Sequence, residues 1–206
     1  VKLLSIGESV DIEANEILLS DGGKAKFVYF PFSGFASVLT AVDNHPAMEM
    51  ALIGREGMLG STILTENSVT HLQAVVQAPG TALRIEIVAL EKELLPSSKL
   101  HQMIVNYLYL LLAQVSNTAS CSNFHPVKSR LARRILTMQD RAETENIHFT
   151  HQSVADMLGV RRSAVSIAAG LLRQKKCISY SRGDITIIDR KALEAEACSC
   201  YTQIEY

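Results

Sequence analysis

Arg161 and Arg162 follow the dipeptide Gly159-Val160 and are followed in turn by Ser163 and Ser166. A guanidinium is a planar, permanently charged fork of five donors, and it pairs in bidentate fashion with phosphate oxygens or with the O6/N7 edge of guanine. Ser163 and Ser166 add hydroxyls that both donate and accept, and residues three or four apart on a helix share a face. That set, held on the outside of a helix, has the chemistry to read an anionic duplex. A further arginine, Arg182, stands in Ser181-Arg182-Gly183-Asp184, a turn-forming run suited to a phosphate contact. Two adjacent arginines can equally be a solvated face, so the weight falls on the elements that would position them.

Those elements are legible. Thr150 to Leu158 reads as a helix that starts on the Thr150 side-chain oxygen, with Val154, Met157 and Leu158 on one apolar face. Gly159 supplies the positive φ of a tight interhelical turn. Ala155, four residues earlier, is small enough for close helix crossing, and Val165 faces the same contact. The second helix ends in Arg173, Lys175 and Lys176, which suit its C-terminal dipole. Ile178-Ser179-Tyr180 and Ile185-Thr186-Ile187-Ile188 then make a strand pair turned at Gly183. A helix-turn-helix followed at once by a hairpin is a winged helix, whose second helix enters the major groove of DNA. The expected DNA-binding residues are Thr150, His151, Gln152, Arg161, Arg162, Ser163 and Ser166, with Arg182 on phosphate at the wing tip.

The charge distribution agrees. The 206 residues carry a formal net charge of −1, but residues 1–124 hold 7 basic and 12 acidic side chains, and residues 125–206 hold 13 and 9. The half that would meet phosphate is the basic half. The apolar run Tyr107 to Ala113 is far shorter than the roughly 20 residues of a spanning helix, and no basic start with an apolar stretch marks a secretory signal. A cytoplasmic protein without a membrane role is expected. Cys121, Cys177, Cys198 and Cys200 fit neither a paired Cys-x-x-Cys zinc site nor an iron–sulfur set, and His45, His71, His101, His125, His148 and His151 form no helical i, i+4 pair. No metal, cofactor or catalytic residue is assigned, and Cys198-x-Cys200 is expected to be structural.

Ahead of the winged helix, residues 1 to about 85 are a series of short apolar or alternating runs separated by Gly22-Gly23, Pro31, Asn44-His45-Pro46, Gly54, Gly57, Gly60 and Pro79-Gly80. Such a pattern predicts an antiparallel β-roll or jelly roll. A short helical piece from Ile87 to Leu94, a break at Pro96-Ser97-Ser98 and a long helix to Ser122 follow. Ile104, Leu108, Leu111 and Val115 are spaced as a heptad seam for a second subunit, and Leu100, Met103, Tyr107 and Leu110 form a second stripe for the sheet domain. His125-Pro126 ends the long helix, and Val127 to Gln139 opens the next with Leu131, Ile135 and Leu136 on one face and Arg130, Arg133 and Arg134 elsewhere. The fold class is α+β: a β-roll sensor over 1–97, a dimerisation helix over 98–124 and a winged helix-turn-helix over 125–206.

This order of parts resembles the Crp/Fnr superfamily of bacterial transcription regulators, most specifically at Gly57-Met58-Leu59-Gly60, at Arg130-Leu131-Ala132-Arg133-Arg134-Ile135-Leu136 and at Gly159-Val160-Arg161-Arg162. The resemblance implies a homodimer on double-stranded DNA, a small signal sensed in the β-roll and an effect on RNA polymerase. Cyclic-nucleotide-binding members have an acidic residue straight after the first glycine and an Arg-Ser or Arg-Thr pair downstream. Here Met58 follows Gly57, the later segment reads Ser68-Val69-Thr70-His71-Leu72, and no arginine lies between Arg55 and Arg84. The effector is therefore unidentified and is not expected to be cyclic AMP. Ser163 and Ile167 stand where many relatives carry Glu and a later Arg, so a different half-site is expected. Two competing readings are a nucleotide- or small-ligand-gated regulator, disfavoured by Met58, and a cupin-like metal enzyme. The latter would need clustered ligands where the N-terminal region offers only His45 and His71.

Overall fold

The computed structural model describes residues 2–61, 69–95, 98–142, 146–148, 150–181 and 183–202. Ser68, Pro96, Ser97 and Arg182, which figure in the expectations above, lie outside them. Chain contacts divide the molecule into two compact units. One comprises the chain up to Thr40 with Met50–Gln114, and the other Ala41–Glu49 with Val115–Glu205.

In the first unit α1 (Lys2–Ile6) leads into β1 (Gly7–Ile12), followed by β2 (Ile17–Leu19), β3 (Phe27–Pro31), β4 (Phe35–Thr40), β5 (Met48–Ile53), β6 (Gln73–Ala78) and β7 (Gly80–Glu86). They form two antiparallel sheets, ordered β1-β7-β3 and β2-β6-β4-β5. Strand β7 shows why the alternation works. Leu83 and Ile85 point into the core, while Arg84 between them stands opposite Glu8 of β1 and bonds to it at 2.6 Å. The guanidinium also lies 4.8 Å over the ring of Phe27. Strand β1 and helix α1 come ahead of the apolar runs marked out in the sequence, and in β1 only Val10 and Ile12 are apolar, two residues apart on one face.

Helix α2 (Ile87–Glu91) precedes α3 (Lys99–Phe124), where Ser98 Oγ accepts a hydrogen bond from the His101 N–H at 3.1 Å. Ile104 of α3 is 3% exposed and packs in one cluster with Val28, Met58, Leu83, Ile85 and Leu90. Of the four residues of the expected seam, Ile104 alone is taken up by the core of the single chain. Ile104 is a core residue of its own unit, Leu111 lines a small half-open pocket of that unit, and Leu108 and Val115 are half-buried. The large apolar residues left exposed on α3 are Met103, Val105, Tyr109, Leu112 and, at its end, Phe124. The series 104, 108, 111, 115 and 105, 109, 112, 116 have the same spacing, so periodicity alone cannot say which one turns inward when a helix is apolar on most sides.

The second unit contains α4 (Val127–Ala142), β8 (Asn146–His148), α5 (His151–Leu158), α6 (Arg162–Gln174), β9 (Ile178–Ser181), β10 (Asp184–Ile187), α7 (Arg190–Glu196) and a 3₁₀ turn (Ser199–Tyr201). Leu131, Ile135 and Leu136 of α4 are fully buried together with Val165, Ala168 and Leu172 of α6, and α6 packs on both α4 and α5. The hairpin β9–β10 forms in the expected place. Its inner strand also pairs with β8, giving a three-stranded sheet ordered β8-β10-β9. Among the described residues, no helix is long and apolar enough to cross a membrane.

A core role and a seam role for Ile104 differ in their consequences. Ile104→Ala should destabilise the isolated chain by about 2–5 kcal/mol, as for other buried aliphatic truncations. Urea unfolding at concentrations low enough to populate monomer checks this. A variant as stable as the parent under those conditions would restore Ile104 to an intersubunit role.

Candidate nucleic-acid interface

Helix α5 begins on a reciprocal cap. Thr150 Oγ1 accepts from the Ser153 N–H at 3.0 Å, and Ser153 Oγ accepts from the Thr150 N–H at 3.1 Å. Two of the helix's orphan donors are thereby satisfied. It ends at Gly159, in the left-handed region at φ 63° and ψ 40°, with its N–H directed at the carbonyls of Ala155 and Asp156. A Cβ there would displace only the flexible Met48 thioether, 2.7 Å away, so it is the left-handed backbone that calls for glycine. Ala155 and Val165 are completely buried, as the close crossing of α5 and α6 demands.

Helix α6 then opens with Arg161 as its N-cap residue, and Arg161, Arg162, Ser163 and Ser166 are all exposed. Beside them lie two exposed hydrocarbons, Ile167 at 67% and Leu171 at 43%. Gln152 is exposed on α5 and donates to Asp156 Oδ1 at 2.8 Å. At the wing, Gly183 has a φ of 96°, which suits the turn expected of it.

His151 has a different place from the one its sequence position suggests. Its ring stacks on Tyr180 of β9 at 4.4 Å and 23°, and Nδ1 lies 3.0 Å from Ser166 Oγ. The Ser166 hydroxyl donates to the Arg162 carbonyl at 3.1 Å, so the hydrogen of the His151–Ser166 contact belongs to Nδ1. That tautomer follows from the network. It leaves Nε2 as a buried nitrogen with no partner. His151 is therefore a strut joining α5, α6 and β9, and Thr150 is a helix cap. Burial, and then the neighbouring Arg162 charge, hold the imidazole pKa below its ordinary value.

The arginines of α4, expected off its apolar face, include two buried ones. Arg130 Nη2 donates to the carbonyl of Leu158, the last residue of α5, and Nη1 donates to the Ser122 carbonyl at 3.4 Å. Arg134, 4% exposed, pairs with Glu49 and donates to Met157 Sδ at 3.1 Å. Glu196 of α7 bridges Lys128 and Lys175, and these two cations hold its carboxyl below the usual range.

One constellation was not legible as a site. Cys121, His125, Cys198 and Cys200 bring four ligand atoms within 4.8 Å of one another. Searching for His–His pairs on helices and Cys-x-x-Cys motifs passes over it. The signal that could have found it is the mixed Cys121-x-x-x-His125 pair, one helical turn apart, taken together with Cys198-x-Cys200.

Residues 129–196 match the family described as the Crp-like helix-turn-helix domain. The chain is 25% identical over 184 residues to the global nitrogen regulator of Nostoc sp., covering 85% of this chain and 82% of that one. Among solved structures, a transcriptional regulator of the Crp/Fnr family from Eubacterium rectale superposes with a TM-score of 0.77 at 16% identity, covering 95% of this chain and 92% of that one. FixK2 from Bradyrhizobium japonicum gives 0.77 at 15% identity, covering 94% and 98%. The fold is thus the Crp/Fnr fold, an antiparallel sheet domain, a long helix and a helix-turn-helix. The chain thus carries a segment matching the Crp-like helix-turn-helix domain over residues 129–196 and is similar to the Nostoc regulator along most of its length.

The His151 strut carries a pH dependence of known sign. Its folded pKa lies below the unfolded value of about 6.5, so the unfolded chain binds the proton more readily. The stabilisation is complete above that pH and declines as pH falls below it. Segment-resolved hydrogen exchange on the full chain should show α5 and α6 losing protection on acidification, with a flatter profile in His151→Gln. Parallel profiles for the two proteins would remove His151 as the cause.

Proposed function

We propose that this regulator is a homodimer that binds an inverted-repeat operator through α6, with Arg161, Arg162, Ser163, Ser166 and Gln152 facing the duplex. The observation that carries the reading is the exposed arginine and serine set at the start of α6, beside Ile167 and Leu171. Arginines read guanine edges and hydrocarbons pack on thymine methyls, so the half-site combines both. Thr150 and His151 hold the reading head in place. Arg182, next to Gly183 in the sequence, is assigned to phosphate. The two-fold axis runs along α3, with Val105, Tyr109 and Leu112 as the face offered to a second copy. Half-sites then lie about one helical turn, ~34 Å, apart. The bound dimer recruits or blocks RNA polymerase and has no catalytic function of its own.

The sheet domain serves as a sensor for something other than a cyclic nucleotide. One of its pockets, half open to solvent, measures about 40 Å³ and is lined by Leu19, Val38, Ile53, Leu59, Ala74 and Leu111 among others, with no charged side chain among the described residues. Met58, in the position where a ribose-binding acid would stand, has its side chain in the hydrophobic core, and its carbonyl accepts from the Tyr107 hydroxyl at 2.9 Å. Calorimetric titration with cyclic AMP or cyclic GMP should show no binding, and micromolar affinity for either would overturn this part.

Selection of bound sequences from random DNA tests the function and yields the operator together. Arg162→Ala should lower discrimination between operator and random DNA by about 1–3 kcal/mol. Arg182→Ala should weaken all sequences alike and reduce the salt slope by about one. Reversed outcomes for the two variants would exchange their roles.

For the dimer, Tyr109→Asp with Leu112→Asp is the informative variant, because both side chains are exposed on the single chain, at 72% and 62%, and its core is left intact. Sedimentation should find monomer, and operator affinity should drop by far more than one lost phosphate contact explains, since both half-sites can no longer be held at once. A dimeric variant with unchanged affinity would place the axis elsewhere.

A further inference from the structure

We propose that Cys121, His125, Cys198 and Cys200 form a closed tetrahedral site for a single zinc-type divalent ion. Cys121 and His125 lie one turn apart near the end of α3, on the same face. The other two ligands come from the 3₁₀ turn after α7, where Cys198 is the N-cap residue and Cys200 the middle residue. All four belong to the second unit.

The distances fit one ion. With Zn–S of about 2.3 Å and Zn–N of about 2.0–2.1 Å, the edges of a tetrahedron are about 3.8 Å between sulfurs and about 3.6 Å from sulfur to nitrogen. Cys121 Sγ and Cys198 Sγ are 3.6 Å apart, and Cys200 Sγ is 3.5 Å from His125 Nδ1. The widest pair, at no more than 4.8 Å, needs a contraction of about 1 Å to reach the ideal edge. An iron–sulfur cluster spreads its thiolates over several irons and holds them farther apart than a single ion does. A disulfide would need a sulfur separation of about 2.0 Å, and all four cysteines of the chain are free.

The chemistry of the donors fits as well. Three thiolates and an imidazole, with no carboxylate, select zinc over magnesium or calcium. Cys121, Cys198 and Cys200 are 1%, 7% and 7% exposed, a dry setting with every position filled by protein, which is the form of a structural site. Three thiolates and a dication leave one negative charge. Arg133 lies close enough to act electrostatically on all three sulfurs, and its Nε has no hydrogen-bond partner. Asn117 Nδ2 donates to the Cys200 carbonyl at 3.4 Å and steadies the second ligand pair. The ion would clasp the last turns of α3 to the chain beyond α7. Cys177 is excluded by place. Its sulfur is directed at the Lys175 carbonyl, at 3.9 Å, apart from the cluster.

The test uses the full chain purified under reducing conditions. Mass-spectrometric metal analysis should find about one zinc per chain. Cobalt(II) added to the metal-stripped protein should give intense tetrahedral ligand-field bands with sulfur-to-cobalt charge transfer, a readout on the parent protein that needs no variant to fold. Cys198→Ser with Cys200→Ser should lower zinc content by about tenfold or more, whereas Cys177→Ser and the conservative His125→Cys should retain it. The proposal is overturned by a parent chain with no zinc and no tetrahedral cobalt spectrum. It is equally overturned by iron with acid-labile sulfide, by a Cys121–Cys198 disulfide in the reduced preparation, or by loss of zinc in Cys177→Ser matching that in the double variant.

Discussion

A guanidinium taken out of water must find acceptors for its N–H groups, and Arg130 finds them at the ends of two helices. It bonds to the carbonyl of Leu158, at the end of α5, and to the Ser122 carbonyl and hydroxyl on α3. Terminal helix carbonyls lack intrahelical partners and sit at the negative end of the helix dipole, so a buried cation satisfies both needs together. The direction in which α6 leaves the turn at Gly159 depends on this anchorage of α5. Arg134, one turn further along α4, repeats the device with Glu49 and Met157. Removing one partner of such a buried charge costs about 3–5 kcal/mol, more than most apolar contacts supply.

The helix-turn-helix and its wing were legible because their determinants are local: a cap at Thr150, a left-handed glycine at 159, two amphipathic helices and a glycine-turned hairpin. Where the sequence misled, the deciding contacts join distant residues. Arginines in a helix suggest solvent, yet Arg130 and Arg134 are buried because Leu158, Ser122 and Glu49, far off in the chain, supply their acceptors. Ile104 falls on a plausible heptad, but its partners are Val28, Leu83 and Ile85 from two strands. Strand β8 has three residues and acquires its meaning only from pairing with β10. The Cys121, His125, Cys198, Cys200 constellation spans nearly eighty positions, and no window on the sequence contains it.

The polar residues around the α5–α6 turn divide by what their hydrogens already do. Thr150 and Ser153 are occupied with each other, and His151 and Ser166 with each other and with Arg162's carbonyl. Arg161, Arg162 and Ser163 project from a backbone those bonds have fixed. Counting hydroxyls and rings as so many potential base contacts overstates the reading surface and understates its rigidity. A side chain that enters a groove in a set orientation loses less entropy on binding than one that must be ordered there.

The hydrocarbon on α6 adds something that charge cannot. Ile167 and Leu171 project beside Arg162, and in the docking proposed above they meet the floor of the major groove, where the thymine methyl is the feature a hydrocarbon recognises. A cytosine methylated at carbon five displays the same methyl in the same groove. If α6 docks in this way, aliphatic side chains in the groove would meet a cytosine methyl as they meet a thymine methyl, and covalent modification of the duplex would then alter binding alongside base sequence.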